Sequence, residues 1–141
     1  MALKSTIYKA NLSIADIDHS CYEDHQLTLA RHPSETDERM MIRLLALAIN
    51  AYKLQAVCKG DGKLAFGAGL SDPDDPDCSL RDFTGRTRVW IEVGQPEDKP
   101  IMKACQKADE VLLYCFNHAA EIWWKGIETK LTRLDKLQVW R

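Results

Sequence analysis

Polar and apolar residues alternate near the start of the chain in a pattern that predicts a β-hairpin. Residues 3–14 are rich in β-branched and aromatic types and partly alternate, which is typical of a strand. Residues 16–19 have the composition of a turn, and residues 26–31 alternate polar and apolar side chains again. We therefore expect an N-terminal hairpin ahead of the first helix.

The clearest helical pattern begins at Ser34. Its side-chain oxygen can cap a helix, and Glu35 and Asp37 place negative charge at the positive end of the helix dipole. Helical spacing predicts that the helix continues to about Tyr52 and packs an apolar stripe against the core. The stripe contains Met41, Ile42, Leu45, Ala48 and Ile49. Counting back along the same spacing places Glu38 at the N-terminal end of this core-facing stripe.

The remaining pattern predicts a mixed sheet flanked by helices. Glycines and prolines make residues 56–76 loop-like, with a short strand embedded at 63–68. The elements that follow are strands over 79–84 and 87–94, a helix over 100–109, a strand over 110–116, a helix over 119–130 and a strand over 137–140. A helix between two strands favours a right-handed parallel crossover. The pattern therefore predicts an α+β domain of the mixed α/β type, with helices on both faces of the sheet.

The size and charge of the chain limit the class of protein. With 141 residues, we expect a single domain over residues 1–141. Apolar residues make up 45% and charged residues 28%, which is typical of folded proteins and argues against disorder. A net charge of −2 excludes a protein that coats nucleic acid by bulk positive charge, but it leaves room for a local basic cleft.

The cysteines and the lack of long apolar runs indicate a cytoplasmic protein. The cysteines stand at positions 21, 58, 78, 105 and 115 and form no Cys-x-x-Cys pair, so we expect reduced, packed thiols. Lysines at positions 4 and 9 interrupt the N-terminus, and no run approaches the ~20 apolar residues of a membrane span. We therefore expect a cytoplasmic location and no membrane partner.

Two carboxylates on the predicted 79–94 hairpin are the candidates for chemistry. Asp82 and Glu92 lie on adjacent predicted strands, and a turn near Gly85 would bring them close together across the ladder. Carboxylates on neighbouring strands can ligate Mg²⁺, which prefers hard oxygen ligands and can polarise a phosphoryl oxygen. Glu38 could approach this pair from the helix, and a nearby lysine could stabilise transition-state charge. We therefore expect Asp82 and Glu92 to be metal ligands.

Each of these features also has a simpler interpretation. Asp82 could be a solvated hairpin residue, whereas Glu92, next to Trp90 in an apolar strand, needs an ion or a partner such as Arg81 or Arg43. Basic residues around the hairpin could bind phosphates or could be solvated surface charge. They are Arg81, Arg86, Arg88, Lys103 and Lys107. The tryptophans at 123, 124 and 140 favour packing over a stacking platform for bases.

Several stretches of the chain resemble the bacterial YaeQ family. The most specific stretch is LTLARHPSETDERMMIRLLA at 27–46. Four shorter stretches agree with it: ALKSTIYK at 2–9, WIEVGQP at 90–96, IMKA at 101–104 and IWW at 122–124. The resemblance covers nearly the whole chain. It also implies a further helix-and-strand segment after residue 141, so we expect that C-terminal segment to be missing or disordered.

The resemblance implies a particular fold and a set of acidic residues. The YaeQ family is described as a variation on the PD-(D/E)xK restriction-endonuclease-like fold, here preceded by the hairpin. On this basis Glu92 is the acid of the (D/E)xK motif, and Asp82 is the upstream aspartate, with Asp75 as a competitor. Glu38 corresponds to the acid that many such nucleases carry on a helix.

One position departs from the motif that the resemblance implies. Gly94 stands where the motif has a lysine. Gln95 follows it, and Lys103 or Lys107 of the next predicted helix could take over the missing amine's role. Without such a replacement, the site could bind a metal ion without cleaving a substrate.

Three functions compete at this point. The first is a Mg²⁺-dependent nuclease or other phosphodiester hydrolase, in which Asp82 and Glu92 hold the metal, and Glu38, Gln95 and Lys103 complete the site. The second is a catalytically degenerate nuclease-fold protein that binds nucleic acid or a protein partner. The third is a structural adaptor without a metal. The distance between the carboxylates of Asp82 and Glu92 discriminates among them, because oxygens more than roughly 5 Å apart cannot share an ion.

Overall fold

The fold is a hairpin followed by a five-stranded sheet with helices. The computed structural model describes residues 6–67, 75–116, 120–131 and 134–140. In chain order the elements are β1 (Thr6–Asp16), β2 (Cys21–Arg31), α1 (Asp37–Asn50), α2 (Lys53–Ala56), β3 (Gly62–Phe66), β4 (Cys78–Asp82), β5 (Thr87–Val93), α3 (Asp98–Lys107), β6 (Ala108–Tyr114), α4 (Ala120–Leu131) and β7 (Leu137–Trp140). The order agrees with the sequence prediction, and α2 is an additional short helix.

The strands form two separate sheets. β1 and β2 pair antiparallel over their full length, and the other five strands form one sheet in the order β3-β4-β5-β6-β7. β4 runs antiparallel to both β3 and β5, whereas β5, β6 and β7 run parallel to one another. α3 connects the parallel pair β5 and β6, as the predicted crossover requires. The predicted α+β class, with a mixed sheet and an N-terminal hairpin, is confirmed.

The five-stranded sheet separates two layers of core side chains. Because successive strand residues point to opposite faces, Leu112 of β6 packs in one layer and its neighbours Val111 and Leu113 pack in the other. The first layer includes Ala46 and Leu47 of α1. The second layer is formed with α3 and α4. Helices therefore cover both faces of the sheet, as predicted.

The face that α1 buries differs from the predicted apolar stripe. Three of the five stripe residues are exposed: Met41, Leu45 and Ile49. The buried residues of α1 are instead Arg43, Ala46, Leu47 and Asn50. Arg43 donates hydrogen bonds to the Glu35 carboxylate and to the Ala30 carbonyl, so a buried ion pair helps to fix which side of the helix faces the sheet. Apolar spacing alone cannot identify a helix face that is organised around a charge.

The start of α1 also differs from the prediction. Thr36 is the N-cap, and its hydroxyl accepts a hydrogen bond from the backbone N–H of Arg39 at 3.1 Å. The hydroxyl of Ser34, the predicted cap, lies 2.6 Å from the ring nitrogen Nδ1 of His32. Both residues are of the types that cap helices, and the structure selects the one nearer to the first helical turn.

The cysteines are packed thiols, as predicted. All five are free and buried. Burial raises the pKa of the Cys78 thiol well above its ordinary value, so this thiol stays protonated at neutral pH. In the described part of the chain, no helix has both the length and the apolar character needed to cross a bilayer.

Candidate functional site

The two predicted metal ligands Asp82 and Glu92 are not neighbours. The backbone N–H of Asp82 donates to the carbonyl of Arg86 across the turn, and Glu92 stands six positions after Arg86, near the other end of β5. At about 3.3 Å per strand residue, this separates the two carboxylate-bearing positions by about 20 Å. A single ion cannot bridge that distance, so the structure contradicts the expectation that these two residues share a cation.

Asp82 instead organises the β4–β5 turn. Its Oδ1 accepts hydrogen bonds from the backbone N–H groups of Thr84 and Arg86, at 3.0 and 3.1 Å, and from the Thr84 hydroxyl at 2.5 Å. These bonds, that of the Thr84 hydroxyl foremost, lower the pKa of Asp82. Asp82 therefore has a local structural role, and Gly85, with a φ of 90°, completes the turn.

The carboxylate next to Glu92 belongs to Asp77. Asp77 directly precedes β4, one step beyond the Cys78–Ile91 pair of the antiparallel ladder, which puts it opposite Glu92. Its side chain is buried, and its Oδ2 accepts a hydrogen bond of 2.8 Å from the backbone N–H of Val93. Gly67 helps to place this segment, because a Cβ at position 67 would collide with the carbonyl oxygen of Pro76.

Arg39 of α1 lies against Asp77 and the end of β5. Its Nη2 donates to both carboxylate oxygens of Asp77, at 2.9 and 3.0 Å, and to the carbonyl oxygen of Val93 at 3.1 Å. Its Nη1 donates to Oε2 of Glu35 at 2.5 Å. One guanidinium nitrogen is thus surrounded by three oxygens at the end of the strand that carries Glu92.

Glu35, rather than Glu38, is the acid at the start of α1 that joins this network. Glu35 is buried, and its Oε1 accepts from Nη2 of Arg43 at 2.6 Å. Arg43, Glu35, Arg39 and Asp77 therefore form a continuous chain of alternating charges. Glu38 is exposed. Its predicted position on the core-facing side of the helix is wrong, because the face that α1 turns to the sheet is not the predicted apolar stripe.

Glu92 carries an unusual protonation state. Its Oε1 accepts a hydrogen bond of 2.8 Å from Nε1 of Trp90, two residues earlier on the same face of β5. Burial raises the pKa of Glu92 to about 8, and the nearby Asp77 charge and a hydrogen bond between the two carboxyl groups act in the same direction. The Trp90 hydrogen bond and the Arg39 charge oppose this rise only in part. Glu92 is therefore largely protonated at neutral pH.

The side chains of Asp77 and Glu92 line a surface pocket of about 400 Å³. Its polar lining consists of Arg39, Asp75, Asp77, Glu92, Gln95 and Glu97. Gln95 was a predicted site residue, and its Nε2 donates to the carbonyl oxygen of Phe116 at 2.7 Å. Asp75, the competing candidate for the upstream aspartate, also faces the pocket and lies 3.5 Å from Arg81.

Lys103 lies on the other side of Glu92. It is exposed on α3 and lines a second hollow of about 250 Å³, together with Trp90, Glu92 and two further lysines. Those lysines are Lys99 and Lys107, which stand four residues before and after it on one face of the helix. The predicted association of Lys103 with Glu92 is thus consistent with the geometry, as both residues line one hollow.

Gly94 has a backbone conformation that explains why no lysine stands there. Its φ is 121°, in a region that L side chains rarely adopt, although a Cβ would meet no atom within 4 Å. The obstacle to a side chain at position 94 is therefore the backbone and not the space around it.

The oxygens of this pocket suit a hard cation in chemical type. Asp77, Glu92 and the Val93 carbonyl supply carboxylate and carbonyl oxygens, and Mg²⁺ is commonly bound through one or two carboxylates plus waters. Within the described residues, no group of three or more His, Cys, Asp or Glu side chains converges on one metal position. The positive group at this point is the Arg39 guanidinium, which shows that the oxygens stabilise a cation there.

Sequence reasoning missed Asp77, Arg39 and Glu35 as members of the site. The Pro76-Asp77 dipeptide was the available signal for Asp77, because it matches the Pro-Asp pair with which the PD-(D/E)xK motif begins. Arg39 and Glu35 lie inside the most specific stretch of that resemblance, 27–46, but no local pattern marks an arginine as a partner of a residue 38 positions away.

Comparisons with known proteins give a single family. The model of the family described as YaeQ protein matches residues 1–141. Proteins of Salmonella typhi and Escherichia coli (strain K12), both named "Uncharacterized protein YaeQ", are 45% identical over 141 residues, which is 99% of this chain and 73% of theirs. The crystal structure of the YaeQ protein from Xanthomonas axonopodis pv. citri superposes with a TM-score of 0.82 at 43% identity and covers 96% of this chain and 72% of that one. The YaeQ structure from Pseudomonas syringae gives 0.83 at 36% identity, with coverages of 96% and 70%.

Proposed function

This chain belongs to the YaeQ family, and we propose that its pocket around Asp77 and Glu92 is the active site of a divalent-cation-dependent phosphodiesterase acting on nucleic acid. The observation that carries the proposal is the convergence of Asp77, Glu92 and the Val93 carbonyl at the end of β5. In the PD-(D/E)xK pattern, these residues take the places of the upstream aspartate, the second acid and the carbonyl between acid and lysine. Asp77 replaces Asp82 in that role.

Asp77 and Glu92 would have different roles in such a reaction. Asp77 and Glu92 would hold a Mg²⁺ ion, which would polarise a phosphoryl oxygen and make a bound water more acidic. Asp77 is placed for this role, since it lines the pocket and already pairs with the Arg39 guanidinium. Glu92 would give up its proton on ligation, because a nearby cation favours the charged form of a carboxyl group.

Lys103 and Gln95 are the candidates for the task of the missing motif lysine. Lys103 lines the same hollow as Glu92, so its ammonium group can stabilise negative charge that develops on a phosphate there. Gln95 faces the pocket from the residue after Gly94, and its amide already donates to the Phe116 carbonyl, which favours a positioning role over proton transfer.

The lysines of α3 favour a polyanionic substrate. Lys99, Lys103 and Lys107 are exposed and follow one another at helical spacing beside Glu92. Three ammonium groups in a row can contact successive phosphates of a strand without reading its bases. This local stripe supplies positive charge that the net charge of −2 does not reveal.

One observation favours a second candidate function. Arg39 donates into the oxygens that would hold the cation, and Gly94 replaces the motif lysine. A protein with these two features could bind nucleic acid through α3 without cleaving it. In that case the carboxylates of Asp77 and Glu92 stabilise the fold around Arg39.

Cleavage assays on supercoiled plasmid, single-stranded DNA and RNA, with Mg²⁺ or Mn²⁺, test the proposal. We compare the wild type with Asp77→Asn and Glu92→Gln and use Asp82→Asn as the matched control at the far end of β4. Cation-dependent cleavage that both pocket variants lose and Asp82→Asn retains supports the phosphodiesterase. If all four proteins cleave equally, or none cleaves any substrate, the phosphodiesterase proposal is wrong for these substrates and the binding function takes its place.

A further inference from the structure

We infer that Arg39 is an internal competitor for the cation site: its guanidinium occupies the oxygens of Asp77 and Val93, and a divalent cation binds only when Arg39 leaves them. The inference rests on the proposed cation site and adds its regulation. It begins from three contacts of one atom, because Nη2 of Arg39 lies 2.9, 3.0 and 3.1 Å from the Asp77 oxygens and the Val93 carbonyl oxygen.

Two cations cannot use these oxygens at once. The Asp77 carboxylate presents both of its oxygens to one guanidinium nitrogen, so an ion bound to both oxygens at about 2.1 Å would take the place of that nitrogen. Like charges held at such short range repel strongly in a site of low dielectric. Binding of an ion therefore has to be coupled to displacement of Arg39.

Charge balance explains why the arginine occupies the site when no ion does. Arg43, Glu35, Arg39 and Asp77 alternate in sign, and their formal charges sum to zero. A buried carboxylate such as Asp77 is costly without a partner, so it retains the nearest cation in the fold. Arg39 is that cation.

Arg39 can move away from the Asp77 oxygens, whereas Arg43 is fixed in place. The side chain of Arg39 is 14% exposed at the wall of the pocket, and a second contact, from its Nη1 to Glu35, would hold the guanidinium after its Nη2 departs. The side chain of Arg43 has no exposed surface and is tied to Glu35 and to the Ala30 carbonyl. The two arginines on Glu35 thus have different roles, one structural and one displaceable.

Calorimetric titration with Mn²⁺ of the wild type and of Arg39→Met tests the inference. Methionine keeps the length of the side chain and removes its charge, and Arg86→Met serves as the control because Arg86 pairs with Asp109 outside the pocket. We expect Arg39→Met to bind Mn²⁺ at least about tenfold more tightly. This factor applies if Arg39 occupies the Asp77 oxygens in about nine of ten wild-type molecules, because only the remaining tenth can bind the ion. Arg86→Met should bind like the wild type.

A second measurement covers the case in which Arg39→Met fails to fold. The arginine Nε–H signals of the wild type are followed by ¹⁵N NMR during Mg²⁺ titration, and the Arg39 signal is assigned by its loss in Arg39→Lys. The inference predicts that this signal moves with the dissociation constant that a calorimetric titration of the wild type with Mg²⁺ gives. A bound ion that leaves the Arg39 signal unchanged overturns the inference.

The outcomes separate this inference from the proposed function. Equal Mn²⁺ affinity of the wild type and Arg39→Met, with cation-dependent cleavage by the wild type, overturns the inference and leaves the phosphodiesterase. Tighter binding by Arg39→Met, with no cleavage by the wild type, supports the inference and overturns the phosphodiesterase. Binding of Mn²⁺ by neither protein overturns both.

Discussion

Asp77 and Asp82 stand at the two ends of β4, and only Asp77 lies beside Glu92. Asp77 comes one residue before the strand, and Asp82 is its last residue. Because β5 runs antiparallel to β4, its Glu92 end meets the Asp77 end, and the turn keeps Asp82 far away. The register of one hairpin therefore decides which carboxylates can act together.

Glu35 and Glu38 should differ sharply in their effect on stability. Glu35 is 3% exposed between two arginines, so Glu35→Gln leaves Arg43 buried without its countercharge. We expect the free energy of unfolding to fall by about 3 kcal/mol. Glu38→Gln changes an exposed helix residue and should change the free energy of unfolding by no more than about 0.5 kcal/mol. Urea unfolding of both variants at pH 7 measures the difference, and equal stabilities would show that the Glu35 ion pairs contribute little.

Glu92 should make the stability of the protein depend on pH in a specific direction. Its folded-state pKa of about 8 lies above the ordinary glutamate value of 4.5, so the folded state holds a proton that the unfolded state releases between these two pH values. The contribution of Glu92 to stability is therefore fully present below pH 4.5 and is lost as the pH rises to 8.

Glu92→Gln imitates the protonated carboxyl group and should remove this dependence. We expect the variant to match the wild type near pH 4 and to be more stable by at least about 1 kcal/mol at pH 9. Thermal unfolding over this range checks the difference, with the exposed pocket residue Glu97 changed to Gln as the control. A Glu92→Gln variant that is less stable than the wild type at pH 9 would show that the folded protein does not raise the pKa of Glu92 above its ordinary value.

The order of elements could be predicted from the sequence, because it depends on local periodicity. The alternation in residues 26–31 lies within β2, the apolar run over 110–116 overlaps β6, and the helix between β5 and β6 predicted the parallel crossover. The resemblance to one family pointed in the same direction, and the family is confirmed. These features are properties of neighbouring residues along the chain.

The composition of the site could not be predicted in the same way, because it depends on contacts between distant residues. Arg39 reaches Asp77 across 38 positions, and no spacing rule indicates such a pair. Arg43 carries a formal charge, so a hydrophobic pattern assigns it to solvent, whereas the structure buries it completely. The β4–β5 turn was predicted near Gly85, where the structure has it, but Asp82 precedes Gly85 by three positions and Glu92 follows it by seven, so their side chains lie far apart along the strands.

Gly94 should resist the substitution that would restore the motif. Its φ of 121° is unfavourable for any L side chain, so Gly94→Ala and Gly94→Lys should each lower the free energy of unfolding by about 1–3 kcal/mol. Gly126 in α4 is the matched control, because a Cβ there also meets no atom within 4 Å but the backbone is helical. Gly126→Ala should raise stability by up to about 1 kcal/mol. Equal effects at the two positions, measured by urea unfolding, would show that the backbone at Gly94 is not strained by a side chain.

The lysines of α3 should set the salt dependence of nucleic-acid binding. Lys103 and Lys107 lie on the same helix face beside Glu92, so a strand whose phosphate approaches the pocket passes over them. In a plot of the logarithm of the affinity for a labelled single-stranded oligonucleotide against that of the salt concentration, the double variant Lys103→Gln, Lys107→Gln should have a slope that is shallower by about 0.7 per lysine. Lys59, which precedes β3, and Lys63 of β3 are exposed and do not line the hollow beside Glu92, so they supply the matched double variant, which should keep the wild-type slope. An equal change in both double variants would mean that nucleic acid is attracted by overall charge and does not follow α3 to the pocket.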